Sequence, residues 1–306
     1  MRRPLWTAAQ VAATLVVAWF LWRYVERNWA DLRAAGAAID VRPVPLAGAA
    51  LIVLVTYAML IGAWRMVLAG WGERLAYGQA ARIWCLSNLA RYVPGRIWQI
   101  AGMAALAREA GVSAWAAAGS AVVVQLLAIA TGALVTVIFA PRFSHPLLIT
   151  GAGLLAAGCA AVLAWPAGAA WASTALSRIS GRAITLRAVA PGPLALSALI
   201  TAAAWILYGF ALYLSIQGLT GRGGANVAAA TGVFTGSYVA GLVNVFTAAG
   251  LGTRELLLVS WLTGPIGAAA ATVVTVGSRL LMTVTELLAA LLTLPLTSPR
   301  TDVQHA

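Results

Sequence analysis

The chain is 306 residues long, with 62% of its residues apolar and only 9% charged. A soluble domain is roughly 45–50% apolar and about 25% charged, so a soluble enzyme, a secreted disulfide scaffold and a disordered tail are all excluded. At about 20 residues per bilayer crossing the length supplies about seven or eight spans.

The 20 basic residues, all Arg, stand against eight acidic ones for a formal charge of +12. Such a bias fits cytoplasmic loops under the positive-inside rule, or Arg that meets anionic headgroups, and it does not call for nucleic acid. The expected class is an all-α polytopic membrane protein of a bacterial inner membrane, a single transmembrane domain over residues 1–306. Cys85 and Cys159 form no CxxC pair, and the only His are His145 and His305. Neither a metal site nor a Ser-His-Asp triad can be built from these, and no cofactor is expected.

In chain order, Met1-Arg2-Arg3-Pro4 leads into an apolar run over 5–22 that ends in Trp19, Trp22 and Tyr24. No small-residue cleavage site follows, so this reads as a retained first span with its aromatics at the far interface. Further apolar stretches cover 44–69, 113–140, 147–165, 194–216, 226–246 and 266–296. The second of the seven is closed by Trp64, Arg65 and Trp71, and the fifth ends with Tyr208 and Tyr213. Residues 167–193 hold Arg178, Arg182 and Arg187 and no acid, which predicts a basic cytoplasmic loop. Alternation then puts the N-terminus in the cytoplasm. Most of the 13 Trp lie near span ends, as an interfacial belt requires.

Two segments break this pattern, near 83–105 and 244–264. The first is apolar but interrupted by Pro94-Gly95, where a continuous helix should fail. The second is interrupted by a small-residue run through Gly250 and Gly252. Each has an Asn, a Gly-containing break and then an Arg-Glu pair, Arg108-Glu109 or Arg254-Glu255. Paired interruptions in two halves suggest an internal repeat, and point to a transporter site where half-helix ends face a midplane cavity.

The run from Asn88 through Arg91, Tyr92, Pro94, Gly95 and Trp98 to Gln99 has the pattern N-x-x-R-Y-x-P-G-x-x-W-Q. It resembles a signature of the lysylphosphatidylglycerol synthase transmembrane-region family. The run Gly250-Leu251-Gly252-Thr253-Arg254-Glu255 is similar to that family's P-G-G-L-G-x-R-E motif, with Ala248-Ala249 in place of the Pro-Gly. The resemblance implies a helical protein like the lipid-translocating half of the multiple-peptide-resistance factors, which carry aminoacylated phosphatidylglycerol between leaflets. The chain ends at Ala306, so a stand-alone member without the aminoacyl-transferring domain is expected. The lipid implied is an aminoacyl-phosphatidylglycerol, a glycolipid, a polyprenyl phosphate or a hopanoid-type lipid, with a lipid-biosynthesis enzyme as an expected partner.

Candidate substrate-binding residues follow. Arg279 lies near the middle of the 266–296 run, where a central Arg costs about 2.5–3.5 kcal/mol on insertion scales. Glu286, seven residues on, returns to the same helix face about 10.5 Å along the axis. Either a headgroup lies between them, or each pairs with a neighbouring helix such as the one opening at Arg254-Glu255. Arg91 and Arg96 flank the Pro94-Gly95 break and suit phosphate, or else snorkel to the interface. Asn88 and Gln99 bond either exposed backbone or a headgroup, and Gln125 reads as interhelical glue.

No G-x-x-x-x-G-K-[ST] motif is present, so transport would be passive or coupled to an ion or the membrane potential, with Glu255 or Glu286 as proton carriers. The rival readings are a lipid-modifying enzyme, which would rest on Glu73, Glu109, Glu255 or Glu286, and a non-transporting accessory subunit.

Overall fold

The computed structural model describes residues 29–34, 39–92, 97–140, 146–181, 185–221, 225–243 and 252–296, with isolated positions 19, 23 and 26. The expected first span over 5–22 lies almost wholly outside the described residues, as do Pro94, Gly95, Arg96 and Gly250 among the candidate site residues. Among the described residues the chain is helical, with a single isolated bridge between Asp40 and Thr220.

The helices are α1 Trp29–Ala34, α2 Pro43–Gly70, α3 Tyr77–Leu89, α4 Ile97–Glu109, α5 Ala114–Phe139 and α6 Pro146–Ala164. They continue with α7 Pro166–Ser180, α8 Pro191–Thr220, α9 Val227–Val243, α10 Thr253–Ile266 and α11 Ala268–Thr293. Proline opens α2, α7 and α8, where its missing N–H costs nothing. Gly181 and Gly221, at φ of 66° and 60°, end α7 and α8 in the left-handed conformation that suits glycine.

Helices α2, α5, α8 and α11 are long and apolar enough to cross a bilayer, and a fifth span exists if α6 and α7 are counted together. Those two are bent by 103° at Pro166, which cannot continue the hydrogen-bond ladder of α6. The first half of the stretch expected as a basic loop is therefore helix α7. Its run of Ala with few β-branched residues favours the helical state. Ser173 accepts the Leu186 N–H at 2.8 Å, tying α7 to the segment before α8.

The interruption expected near 93 begins among the described residues, the one expected near 248 lies outside them, and the contacts of the flanking helices show how the chain is routed. Helix α3 gives way to a 3-10 turn at Ala90–Tyr92, and α4 starts at Ile97. Each arm has 13 residues, about 20 Å, too short for a hydrocarbon core of about 30 Å. The outer ends meet, because Glu73, just before α3, accepts the backbone N–H of Ser113, just after α4, at 3.3 Å and also its hydroxyl. The two arms thus enter and leave at the same end of the bundle. Helices α9 and α10 are arranged likewise: Trp261 of α10 lies against Gly236 of α9.

This second hairpin belongs to the opposite end. There Gly232 of α9 lies against Phe139 and Ala140 at the end of α5, and Leu219 at the end of α8 lies against Gly277 of α11. Asp40, before α2, donates its backbone N–H to Leu219 at 2.9 Å at that same end. At the other end Leu296, after α11, lies against Gly78 of α3. That end also carries Arg65, Arg74, Arg108, Arg178 and Arg187. Two short hairpins therefore dip into the bundle from opposite ends, each closed by one of the sequence interruptions.

Helix α8 is the hub, packed against α2, α5, α9 and α11. A Cβ on Gly209 would fall 2.3 Å from the Thr231 Cα, and one on Gly232 would fall 2.4 Å from the Ala140 backbone nitrogen. Small residues at these crossings let the helices approach closely, as membrane bundles require. Trp64 and Trp71 depart from the expected interfacial belt. Trp64 is buried and donates to Ser120 Oγ at 2.8 Å. Trp71 donates to the Ala188 carbonyl at 3.2 Å and stacks on Trp115. Their indole N–H groups find partners inside the protein, so neither needs the headgroup layer. Trp19, Trp29, Trp98, Trp165 and Trp171 remain exposed as a belt would have them.

Candidate functional site

The inner ends of the two hairpins meet beside the middle of α11, around a cavity of about 440 Å³. One wall comes from α5 and is mostly apolar, with Val122, Val124, Leu126 and Ile129 around the single polar Gln125. The opposite wall carries the charges, Arg91, Arg254, Arg279 and Glu286, together with Asn88, Gln99 and Thr283.

Glu286 is the centre of the polar wall. It forms an ion pair with Arg91 from the 3-10 turn, and accepts hydrogen bonds from Tyr57 at 3.0 Å and Tyr92 at 2.7 Å. The Tyr92 hydroxyl also lies 3.0 Å from Thr283 Oγ1. Arg91 in turn donates to the Tyr238 hydroxyl of α9 at 3.2 Å, which joins the first hairpin to the second. A buried carboxylate is tolerable only with such a full set of donors.

Glu255 holds the other hairpin. One of its oxygens accepts the Gly252 N–H at 2.8 Å, as a carboxylate in the first turn of a helix does. The other faces Arg279 Nη1 at 3.1 Å, an ion pair without an aligned hydrogen bond. Arg254, next to it, is 5% exposed and has no carboxylate at ion-pair distance among the described residues. Its guanidinium stands over the rings of Phe234 and Tyr238 at 5.1 and 5.0 Å, and one arm points at the Met282 sulfur at 3.1 Å. Its Nε has no hydrogen-bond partner among the described residues.

Asn88 and Gln99 join the two arms of the first hairpin: Gln99 Nε2 donates to Asn88 Oδ1 at 2.5 Å. That bond ties the end of α3 to the start of α4. Asn88 is itself buried, and its Nδ2 has no partner among the described residues.

The structure thus brings together Asn88, Arg91, Gln99, Arg254, Arg279 and Glu286 around one cavity, with Glu255 behind Arg279 and Gly252 behind Glu255. Arg279 and Glu286 share a helix face, and each pairs with a different hairpin, Arg279 with Glu255 and Glu286 with Arg91. Arg91 turns inward to Glu286 and does not snorkel. The Arg-Glu pairs are not equivalent. Arg108 and Glu109 close α4 at the exposed end of the bundle, whereas Arg254 and Glu255 open α10 at its centre. Both pairs lie on the second arm of their hairpin, the first at its outer end and the second at its inner end.

Tyr57, Tyr238 and Thr283 were not legible as site residues. Tyr57, a lone phenol in the middle of the apolar α2, was the one available signal. Tyr208, expected at a span end, is buried and stacks on Phe234 and Tyr238 at 5.2 and 6.4 Å.

A bundle of apolar helices with two opposed hairpins and a buried ionic cavity defines a multi-pass membrane protein. The model of the lysylphosphatidylglycerol synthase TM region family matches residues 8–290, nearly the whole chain. The protein belongs to that family, and its function is membrane- and lipid-related. No curated protein matches the chain.

Proposed function

We propose that this protein is a lipid translocase that moves a phosphate-bearing lipid between leaflets. The observation that carries the reading is the meeting of two opposed hairpins at one mostly apolar cavity that carries a cluster of buried charges on one side. The headgroup lies against Arg91, Arg254 and Arg279, and the acyl chains run along the α5 wall into the bilayer. Each hairpin closes the cavity toward its own end of the bundle, so rocking one away while the other stays gives access to one leaflet at a time. The candidate lipids are an aminoacyl-phosphatidylglycerol, a glycolipid, a polyprenyl phosphate or a hopanoid-type lipid.

The Arg-rich end faces the cytoplasm in this reading, by the positive-inside rule, which sets the N-terminus inside a bacterial cytoplasmic membrane. With no nucleotide motif in the sequence, the exchange is passive or driven by an ion or the membrane potential. An enzyme of the lipid pathway supplies the substrate.

The test is leaflet exchange in proteoliposomes carrying tail-labelled phosphatidylglycerol, quenched from outside. Wild-type protein is expected to raise the quenchable share from the outer leaflet's to nearly the whole label, and Arg91→Met to slow that exchange. Proteoliposomes that quench like protein-free vesicles would refute the translocase.

A further inference from the structure

We infer that the cavity selects an anionic headgroup without an ammonium group, and that Arg254 is its phosphate contact. The inference rests on the translocase reading for taking the ligand to be a lipid, and it removes the aminoacyl-phosphatidylglycerol from that reading's candidates. It begins with charge. Three guanidiniums, Arg91, Arg254 and Arg279, face this site, against two carboxylates, Glu255 and Glu286. Both carboxylates are committed, Glu286 to Arg91 and Glu255 to Arg279. One positive charge is left over, on Arg254.

The sequence closes off the alternatives. No Asp or Glu occurs from residue 74 to 108, from 110 to 254, or from 256 to 285. Residues 93–96 and 244–251 therefore contain no carboxylate. A lysyl or ethanolamine ammonium entering this cavity would find no uncommitted anion. It would also find the Phe234 and Tyr238 rings already facing a guanidinium. A lone phosphate diester brings one negative charge, which cancels the surplus in a low-dielectric site where an uncompensated charge is costly.

The hydrogen-bond inventory points the same way. Among the described residues, the buried polar atoms of the cavity lining without a hydrogen-bond partner are Arg254 Nε and Asn88 Nδ2, both donors. Glu255 Oε1, behind the lining, also lacks one but already faces Arg279. A phosphate oxygen is an acceptor only, and a guanidinium fork suits it. The stacked rings and Met282 hold the Arg254 plane without supplying an anion, so the fork is oriented before a ligand arrives. The apolar α5 wall beside it separates a lipid phosphate from a free one.

The experiment is native mass spectrometry of the full chain in mild detergent. It is titrated with phosphatidylglycerol, phosphatidic acid, phosphatidylethanolamine and lysyl-phosphatidylglycerol of identical acyl chains, with inorganic phosphate as a separate arm. Phosphatidylglycerol and phosphatidic acid are expected to bind at least about tenfold more tightly than the two ammonium-bearing lipids. Arg254→Met should erase that preference and Arg254→Lys should keep part of it. The wild-type comparison stands even where a variant fails to fold.

Equal or tighter binding of lysyl-phosphatidylglycerol would overturn the charge selection while leaving a lipid site in place. A preference that survives in Arg254→Met would overturn the role of Arg254. Binding of inorganic phosphate as strong as that of phosphatidylglycerol would keep the anion preference and overturn the lipid reading.

Discussion

Replacing Glu286 with Gln keeps the shape of the side chain and removes one negative charge from the centre of the bundle. The carboxylate faces Arg91 and accepts from Tyr57 and Tyr92. The amide oxygen can keep one of those phenol bonds, but its NH₂ group then meets a second donor, and Arg91 loses its counter-charge. Removing one partner of a buried ion pair costs about 3–5 kcal/mol, offset by about 1 kcal/mol for the phenol bond retained. The net loss is about 3 kcal/mol, which at about 2–4 °C per kcal/mol lowers Tm by on the order of 10 °C.

Thermal unfolding in detergent, followed by Trp fluorescence, measures this shift. Combining Glu286→Gln with Arg91→Met should cost less than the two single losses together, with a coupling of about 2 kcal/mol, because neither charge is then left alone. A Glu286→Gln Tm within about 2 °C of wild type, or losses that simply add, would show that the pair does not hold the hairpin to α11.

Arg279→Met leaves Glu255 facing only the Gly252 N–H and should destabilise by about 3 kcal/mol, with most of that recovered when Glu255→Gln is added. The same unfolding assay checks it, and failure of the second change to rescue would break the pairing. Gly232→Ala drives a Cβ into the end of α5 and is expected to cost about 1–3 kcal/mol; a neutral result would mean the α5–α9 crossing is looser than described. Single cysteines at Arg74 and Glu109, in a Cys85→Ser, Cys159→Ser background, should react with an impermeant maleimide from the same side of the membrane. A cysteine at Arg42 should react from the other side. Labelling of positions 74 and 109 from opposite sides would refute the first hairpin.

Which residues belong near the membrane centre was largely legible in the sequence, and who meets whom was not. A charge inside a long apolar run announces itself, so Arg279 and Glu286 stood out, and the helical period put them on one face. Their partners sit on other helices: Glu286 meets Arg91 from a segment nearly two hundred residues earlier. No local pattern carries that distance. The two interruptions were readable because Pro and Gly act within their own helix turn. That they close hairpins entering from opposite ends depends on contacts such as Glu73 with Ser113. The phenols were hidden for a different reason. A Tyr in an apolar helix serves equally well at an interface or inside, and Tyr57 and Tyr208 look like membrane anchors until their neighbours are known.

The opposed hairpins also set how this protein keeps the membrane sealed. Along most of the bundle the barrier to ions is a continuous helix the full thickness of the hydrocarbon. At the cavity it is two half-depth plugs whose inner ends touch through Arg91 and Tyr238. A passage open at one end is still blocked by the other plug, but withdrawing both at once would leave a wet path lined with guanidiniums. Permeability to small anions is therefore the failure mode built into this architecture. Variants that loosen both hairpins are expected to leak small anions across the membrane.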